Sequence, residues 1–233
     1  MSRERRLSRF AHLPALHPNV GTLPSAQAEL WPKLSEVPED FVLYGGTGLA
    51  LRLGHRESID FDFFSAGDFN PTDLLREIAW AGRVTINESS PNHLVVTTAR
   101  GVNLSFLGGM TIQCVAEPSI VAENGIVVAS IFDLAGSKAK AILDRSEWRD
   151  YVDIATILRN GHALAEIIGY AQTIFSPLFE FPVAVFLRSL VWFGDGTAVD
   201  VPDDMKRELE SAVAAAARES IPVVEPYSTS IRP

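Results

Sequence analysis

Apolar residues change rhythm part-way along this chain. Over residues 36–128 they come in short runs. "FVLYGG" (41–46) predicts a buried strand closed by a glycine turn, and "SIDFDFF" (58–64) alternates with the two-residue period of a strand. Between them, "TGLALRLG" (47–54) predicts a short helix stopped by Gly54. "PTDLLREIAWAG" (71–82) predicts another, with Pro71 near its start and Gly82 at its end. Three strands follow in "RVTINESS", "HLVVTTARG" and "VNLSFLGG", turning at "SSPN" and "ARG", and "GIVVAS" is a further strand candidate. From "FDLAGSKAKAILDR" (132–145) the period becomes helical. It stays so through "WRDYVDIATILRNG", "ALAEIIGYAQTIF", "FPVAVFLRSLVWF" and "PDDMKRELESAVAAAARES".

Strands followed by a run of helices predict an α+β layout, a mixed-sheet core and then a C-terminal helical bundle. Residues 1–24 carry Pro14, Pro18, Gly21 and Pro24 and are expected to form an extended arm. Residues 25–128 would be the α/β core, opening with a short helix capped by Ser25 and broken near Pro32. Residues 129–220 would be a helical domain completing a cleft, where a site is expected. Residues 221–233, with three prolines, are expected to be a loose tail.

Composition narrows the chemistry. The 233 residues are 47% hydrophobic and 21% charged, ordinary values for a globular protein. No apolar run approaches the roughly 20 residues of a membrane span. The basic start "MSRERRLSRF" lacks the apolar core of a secretory signal. One cysteine, Cys114, allows neither an internal disulfide nor a cysteine zinc site, and the five histidines show no ligand spacing. A cytoplasmic protein with no membrane partner is the expectation. A net charge of −9 argues against indiscriminate coating of nucleic acid, while leaving room for a local basic groove. Cys114 is expected to be a buried small hydrophobe, and Trp148 and Trp192 packing residues.

Asp60 and Asp62 stand out. Aspartate disfavours strands and resists burial. At positions i and i+2 the two side chains share a face, roughly 7 Å apart at the backbone, with Phe61 and Phe63 directed into a core. Close carboxylates repel each other, and a divalent cation removes that conflict. Magnesium takes a few carboxylates together with substrate phosphates. The plain alternative is a half-buried edge strand with a solvated acidic face. Upstream, Gly45, Gly46 and Thr47 lie between a strand and a helix. There glycine permits close backbone approach, and a helix N-terminus favours phosphate. No Lys-Thr or Lys-Ser follows, so this is not a Walker loop. A tight turn capped by Thr47 is the alternative.

Gly46-Thr47 followed after a spacer by Asp60-x-Asp62 resembles the signature of nucleotidyltransferases with the DNA polymerase β-like fold, with Thr47 where serine is usual. The longer string "GGTGLALRLGHRESIDFDFF" resembles the AbiEii/AbiGii-type toxin nucleotidyltransferases, which include the MenT toxins, through Arg56, Ser58, Asp60, Asp62 and Phe64. A second block, "DLAGSKAKAILDRSEWRDYVDIATIL", matches with Lys138, Arg145, Asp150 and Asp153. On one continuous helix Lys138, Arg145 and Asp153 would fall within about 80° of one another. A salt-bridged solvated helix is the alternative for this block.

The resemblance implies a nucleoside triphosphate, one of ATP, GTP, CTP or UTP, bound over Gly45, Gly46 and Thr47 with help from Arg56 and Ser58. Asp60 and Asp62 would hold Mg²⁺ or Mn²⁺. Lys138 and Arg145 would meet the triphosphate, Asp153 would orient the acceptor or act as base, and Asp150 would do either or brace Lys138 or Arg145. A nucleotide would pass to an acceptor hydroxyl, at a tRNA 3′ end or on a protein. The chain would then be the toxin of a type IV-like toxin–antitoxin or phage-defence system, with an antitoxin as partner. Two other functions stay open, a catalytically inactive nucleotide-binding or protein-interaction module and a small-molecule, antibiotic-type transferase. The strand where a third carboxylate is common in these folds, "GVNLSFLGG", offers Asn103 and Ser105 instead.

Overall fold

The alternation in "SIDFDFF" takes physical form in the computed structural model, which describes residues 3–231. Phe61 and Phe63 are completely buried, while Asp60, Asp62 and Phe64 are half-buried on the other face. This strand lies inside one eight-stranded sheet. In chain order the strands are β1 (Ala15–Leu16), β2 (Val42–Tyr44), β3 (Asp60–Phe64), β4 (Val84–Ser90), β5 (His93–Thr98), β6 (Asn103–Leu107), β7 (Ser119–Val121) and β8 (Val127–Val128). Their spatial order is β1-β7-β8-β2-β3-β6-β5-β4, a mixed sheet. β3 runs antiparallel to β2, with Tyr44 opposite Asp62. It runs parallel to β6, which sets Asn103 opposite Asp60 and Ser105 opposite Asp62.

The helices are α1 (Arg3–Arg9), α2 (Ser25–Leu30), α3 (Gly45–Leu53), α4 (Pro71–Glu77), α5 (Ile131–Asp144), α6 (Trp148–Arg159), α7 (Leu164–Phe175), α8 (Val183–Leu190) and α9 (Asp203–Ala216). Gly54 ends α3 in the left-handed conformation at φ 66°, its N–H bonded to the Ala50 carbonyl. Asn70 caps α4, its side chain accepting from the N–H groups of Thr72 and Asp73 beside Pro71. The chain divides into two units. One holds the residues up to Ile112, Glu117–Ile131 and the residues from Ser228; the other holds Gln113–Ala116 and Phe132–Tyr227. In the first unit the inward face of the sheet supplies Phe61, Phe63, Leu94, Val96, Leu104 and Phe106 to a core shared with Trp31, Leu34, Phe41 and Ile78. Phe63 stacks on Phe106, and Phe41 meets Phe106 edge-on.

The fold departs from sequence expectation in several places, each with a local cause. Residues 1–24 are not an extended arm: α1 opens them, β1 pairs in parallel with β7, and Phe10, Leu13 and Leu23 are buried. The breakers Pro14, Pro18, Gly21 and Pro24 all follow residue 13, so the helix formers before them are unopposed. Pro24 rather than Ser25 occupies the cap of α2, which tightens at Trp31–Glu36 into a 3-10 helix carrying Pro32. The helix expected over 71–82 ends at Glu77, and Ala79–Arg83 continues as a 3-10 turn. The last segment lacks regular structure but is not loose. Tyr227 N–H donates to the Cys114 carbonyl, Thr173 Oγ1 donates to the Val224 carbonyl, and Ile231 is buried. Cys114 is buried as expected, whereas Trp192 is 56% exposed, with its indole N–H on Asp195 rather than packed inside.

Candidate functional site

The first unit brings the leading motif together around the start of α3. β2 leads directly into that helix without an intervening loop, and Tyr44 occupies the cap position without capping the helix through its side chain. The N–H groups of the first helical turn therefore have no acceptor of their own within the helix. Gly45 has φ 68°, and a Cβ there would overlap Asp62 Oδ2 and stand 3.0 Å from Asp62 Cγ. A Cβ on Gly46 would lie 2.7 Å from Arg56 Nη2 and 3.0 Å from Ser58 Oγ. Both glycines thus exist so that polar side chains can approach the backbone, Asp62 at one and Arg56 with Ser58 at the other. Thr47 is completely buried, and its hydroxyl donates to the Asp60 carbonyl. That bond ties the helix start to β3. Any ligand at the turn would meet the Thr47 backbone rather than its hydroxyl.

Asp60 has its own partner. Asn103 Nδ2 on β6 donates to Asp60 Oδ1 at 3.0 Å. The place where a third carboxylate was sought therefore carries an amide that binds the first one. Arg56 Nη1 also donates to the Glu57 carbonyl at 2.9 Å, and Ser58 is buried.

The second unit gathers the later motif. α5 ends at Asp144 and α6 begins at Trp148, so the continuous helix considered from sequence does not form. The chain bends through residues 145–147, and side-chain ion pairs make the connection instead. Lys138 Nζ lies 2.8 Å from Asp150 Oδ1 and 2.8 Å from Asp153 Oδ2. Arg145 Nε lies 2.8 Å from Asp150 Oδ2, from the exposed side. Asp150, Asp153 and Lys138 are all buried. Burial alone pushes the Lys138 ammonium toward lower pKa. The charges of Asp153 and Asp150, with their hydrogen bonds, outweigh it and hold the group above the usual lysine range. Next to them Tyr151 donates its hydroxyl to the Ser189 carbonyl at 3.1 Å. Lys138, Arg145, Asp150 and Asp153 are thus brought together as one charge cluster, with Lys138, Asp150 and Asp153 buried and Arg145 closing it from the exposed side.

A family model described as nucleotidyl transferase AbiEii toxin, type IV TA system, matches residues 32–222. The chain belongs to the AbiEii family. It is a nucleotidyltransferase, and the family is one of toxins. An uncharacterized protein of Aquifex aeolicus (strain VF5) is 31% identical over 159 residues, 67% of this chain and 75% of that one. Among solved structures, a candidate nucleotidyltransferase from H. pylori superposes with a TM-score of 0.52 at 18% identity, covering 82% of this chain and 92% of that one. MenT4, a nucleotidyltransferase toxin of Mycobacterium tuberculosis H37Rv, gives 0.48 at 14% identity, covering 93% and 99%. The α+β fold is that of nucleotidyltransferases with a polymerase β-like core.

In an AbiEii chain the donor set can be tested against a divalent cation. Asp60 and Asp62 present hard oxygen donors from one face of one strand, half-buried. Among the described residues no group of three or more His, Cys, Asp or Glu side chains is placed to hold a metal ion. Two carboxylates suit a cation that completes its shell with water and substrate phosphate, the habit of magnesium, and do not suit a closed structural zinc site. The residues fit. The sequence did not flag Thr97 and Asn87, whose side chains reach Asn103 in succession from the neighbouring strands. Only the register of the sheet joins them to Asp60. Among the described residues, no helix is long and apolar enough to cross a membrane.

Proposed function

We propose that this chain transfers a nucleoside monophosphate from a nucleoside triphosphate to an acceptor hydroxyl, with Mg²⁺ or Mn²⁺ held by Asp60 and Asp62. One observation carries the reading. The two carboxylates share a face of β3, and Asp62 lies directly against the glycine that opens α3, so an anion-favouring helix start and a cation-favouring pair adjoin. The acceptor hydroxyl gives up its proton to solvent as its oxygen bonds to the α-phosphorus, the bond from that phosphorus to the bridging oxygen breaks, and pyrophosphate leaves. The bound cation supplies charge neutralisation to the phosphates. The chain's own share is positioning: backbone N–H groups at Gly46 and Thr47 for the phosphates, Arg56 and Ser58 beside Gly46 for orientation, and Asp60 and Asp62 fixed by their neighbours.

Membership in a toxin family supports a tRNA 3′ end as the acceptor, since a blocked tRNA stops translation, and supports an antitoxin as partner. The test is incubation of purified protein with each α-labelled triphosphate, magnesium and total cell RNA. Label in tRNA-sized RNA, absent with Asp60→Ala of unchanged melting temperature, is the expected result. Full transfer by that variant would overturn the role of Asp60. Transfer that needs no RNA would move the acceptor to a protein or a small molecule.

A further inference from the structure

Asp60 is the end of a chain of side-chain hydrogen bonds that crosses four adjacent strands. Asn87 Nδ2 on β4 donates to Thr97 Oγ1 on β5 at 2.7 Å. Thr97 Oγ1 donates to Asn103 Oδ1 on β6 at 2.7 Å. Asn103 Nδ2 donates to Asp60 Oδ1 on β3 at 3.0 Å. The direction is forced from the acidic end. An ionised carboxylate only accepts, so Asn103 must turn its NH₂ toward Asp60 and its carbonyl oxygen toward Thr97. Thr97 has a single hydroxyl proton, and that carbonyl takes it. The Thr97 oxygen is then an acceptor, and Asn87 supplies the donor. Each link fixes the orientation of the next, and bonds aligned in this way strengthen one another.

The outermost link has a backbone irregularity of its own. Along the β4–β5 ladder Ile86 faces Val96 and Glu88 faces Val95, so Asn87 is the extra residue of a β-bulge. A bulge re-aims a side chain, and bulges are frequent at sheet edges and beside active sites. Here it sits on the edge strand, at the residue whose amide reaches Thr97.

We propose that Asn87, Thr97 and Asn103 are positioning residues for the cation site. They hold Asp60 by Oδ1 in one orientation and leave Oδ2 to the cation. This rests on the reading of Asp60 as a cation ligand. At the β6 position opposite Asp60, an amide contributes direction where a third carboxylate would contribute charge. With Thr97 silenced, the Asn103 carbonyl loses its donor, and only the bond to Asp60 still orients the amide. The Asn103–Asp60 pair is then free to turn together, and Asp60 is no longer held in one orientation.

The test is Mn²⁺ binding to the nucleotide-free protein, followed by electron paramagnetic resonance of the free ion, with melting temperature measured in parallel. Thr97→Val keeps the shape of a half-buried side chain and removes the hydroxyl. Loss of an outer partner of a metal ligand typically weakens affinity about 10–100-fold, and Thr97→Val, one bond further out than Asn103, is expected to lose about 10-fold or somewhat less. Thr97→Ser restores the hydroxyl and is expected to bind within about twofold of the unaltered chain. Asn87→Ala, on the exposed edge, gives a smaller loss in the same direction and remains informative if Thr97→Val does not fold. Unchanged Mn²⁺ affinity in both Thr97→Val and Asn87→Ala, with affinity lost in Asp60→Asn, would overturn the relay and spare the cation site. If the unaltered chain shows no Mn²⁺ binding that Asp60→Asn removes, the cation reading itself fails, a distinguishable result.

Discussion

Gly45→Ala perturbs the site through one methyl group. Two costs arise, and the structure separates them. Gly45 has φ 68°, where an L-residue costs about 1–2 kcal/mol. For a chain of this length that lowers the melting temperature by about 2–8 °C. The second cost is steric. The new Cβ would overlap Asp62 Oδ2 and stand 3.0 Å from Cγ and 3.1 Å from Cβ of Asp62. Ordinary carbon contacts are about 3.5–4.0 Å, so the carboxylate must move by about an ångström. A displacement of that size at a reacting centre costs about 100-fold in rate. Gly161→Ala is the control. Its φ is 92° and nothing lies within 4 Å of the added Cβ, so it carries the backbone strain without the collision. The assay is single-turnover transfer of label from an α-labelled triphosphate, beside a thermal melt. Both variants should melt a few degrees low, and only Gly45→Ala should lose transfer. Equal transfer by the two variants would refute the claim that Gly45 exists to admit Asp62.

Lys138→Met leaves Asp150 and Asp153 buried without their shared ammonium, and is expected to cost about 3–5 kcal/mol, a melting temperature lower by about 6–20 °C. Because the folded-state pKa of Lys138 is raised, its contribution is complete below the ordinary lysine value of about 10.4 and is lost only as pH rises through the higher folded value. As pH rises from 7, the stability gap between Lys138→Met and the unaltered chain should accordingly stay constant and close in strong alkali. A gap that closes between pH 7 and pH 9 would contradict the cluster's assignment. If tRNA is the acceptor, its binding should weaken steeply with added salt despite a net charge of −9, and a flat response would point away from RNA.

The strand that carries the chemistry was legible because its pattern is local. Alternation placed Phe61 and Phe63 inside and Asp60 and Asp62 together, and the glycines marked where another group comes close. The identity of that group, Asp62 at Gly45, depends on the β2–β3 register, which local pattern does not encode. The second motif was legible as a set of residues but not as a geometry. The helix breaks after Asp144, and Lys138 meets Asp150 and Asp153 because α6 folds back on α5. β7 spans only three residues, too few to show a period, and α1 was hidden by prolines that act only downstream of it. The path from Asn87 to Asp60 joins residues far apart in sequence through a bulge, and nothing in "VTINESS" announces a bulge.

Following α- and γ-phosphate labels in parallel tests the central claim most directly. With [α-³²P] triphosphate the label should move to the acceptor, and with [γ-³²P] triphosphate it should appear only in pyrophosphate, both disappearing in Asp62→Asn. Appearance of the γ label on the acceptor, or α-label transfer undiminished in Asp62→Asn, would contradict nucleotidyl transfer at the paired carboxylates.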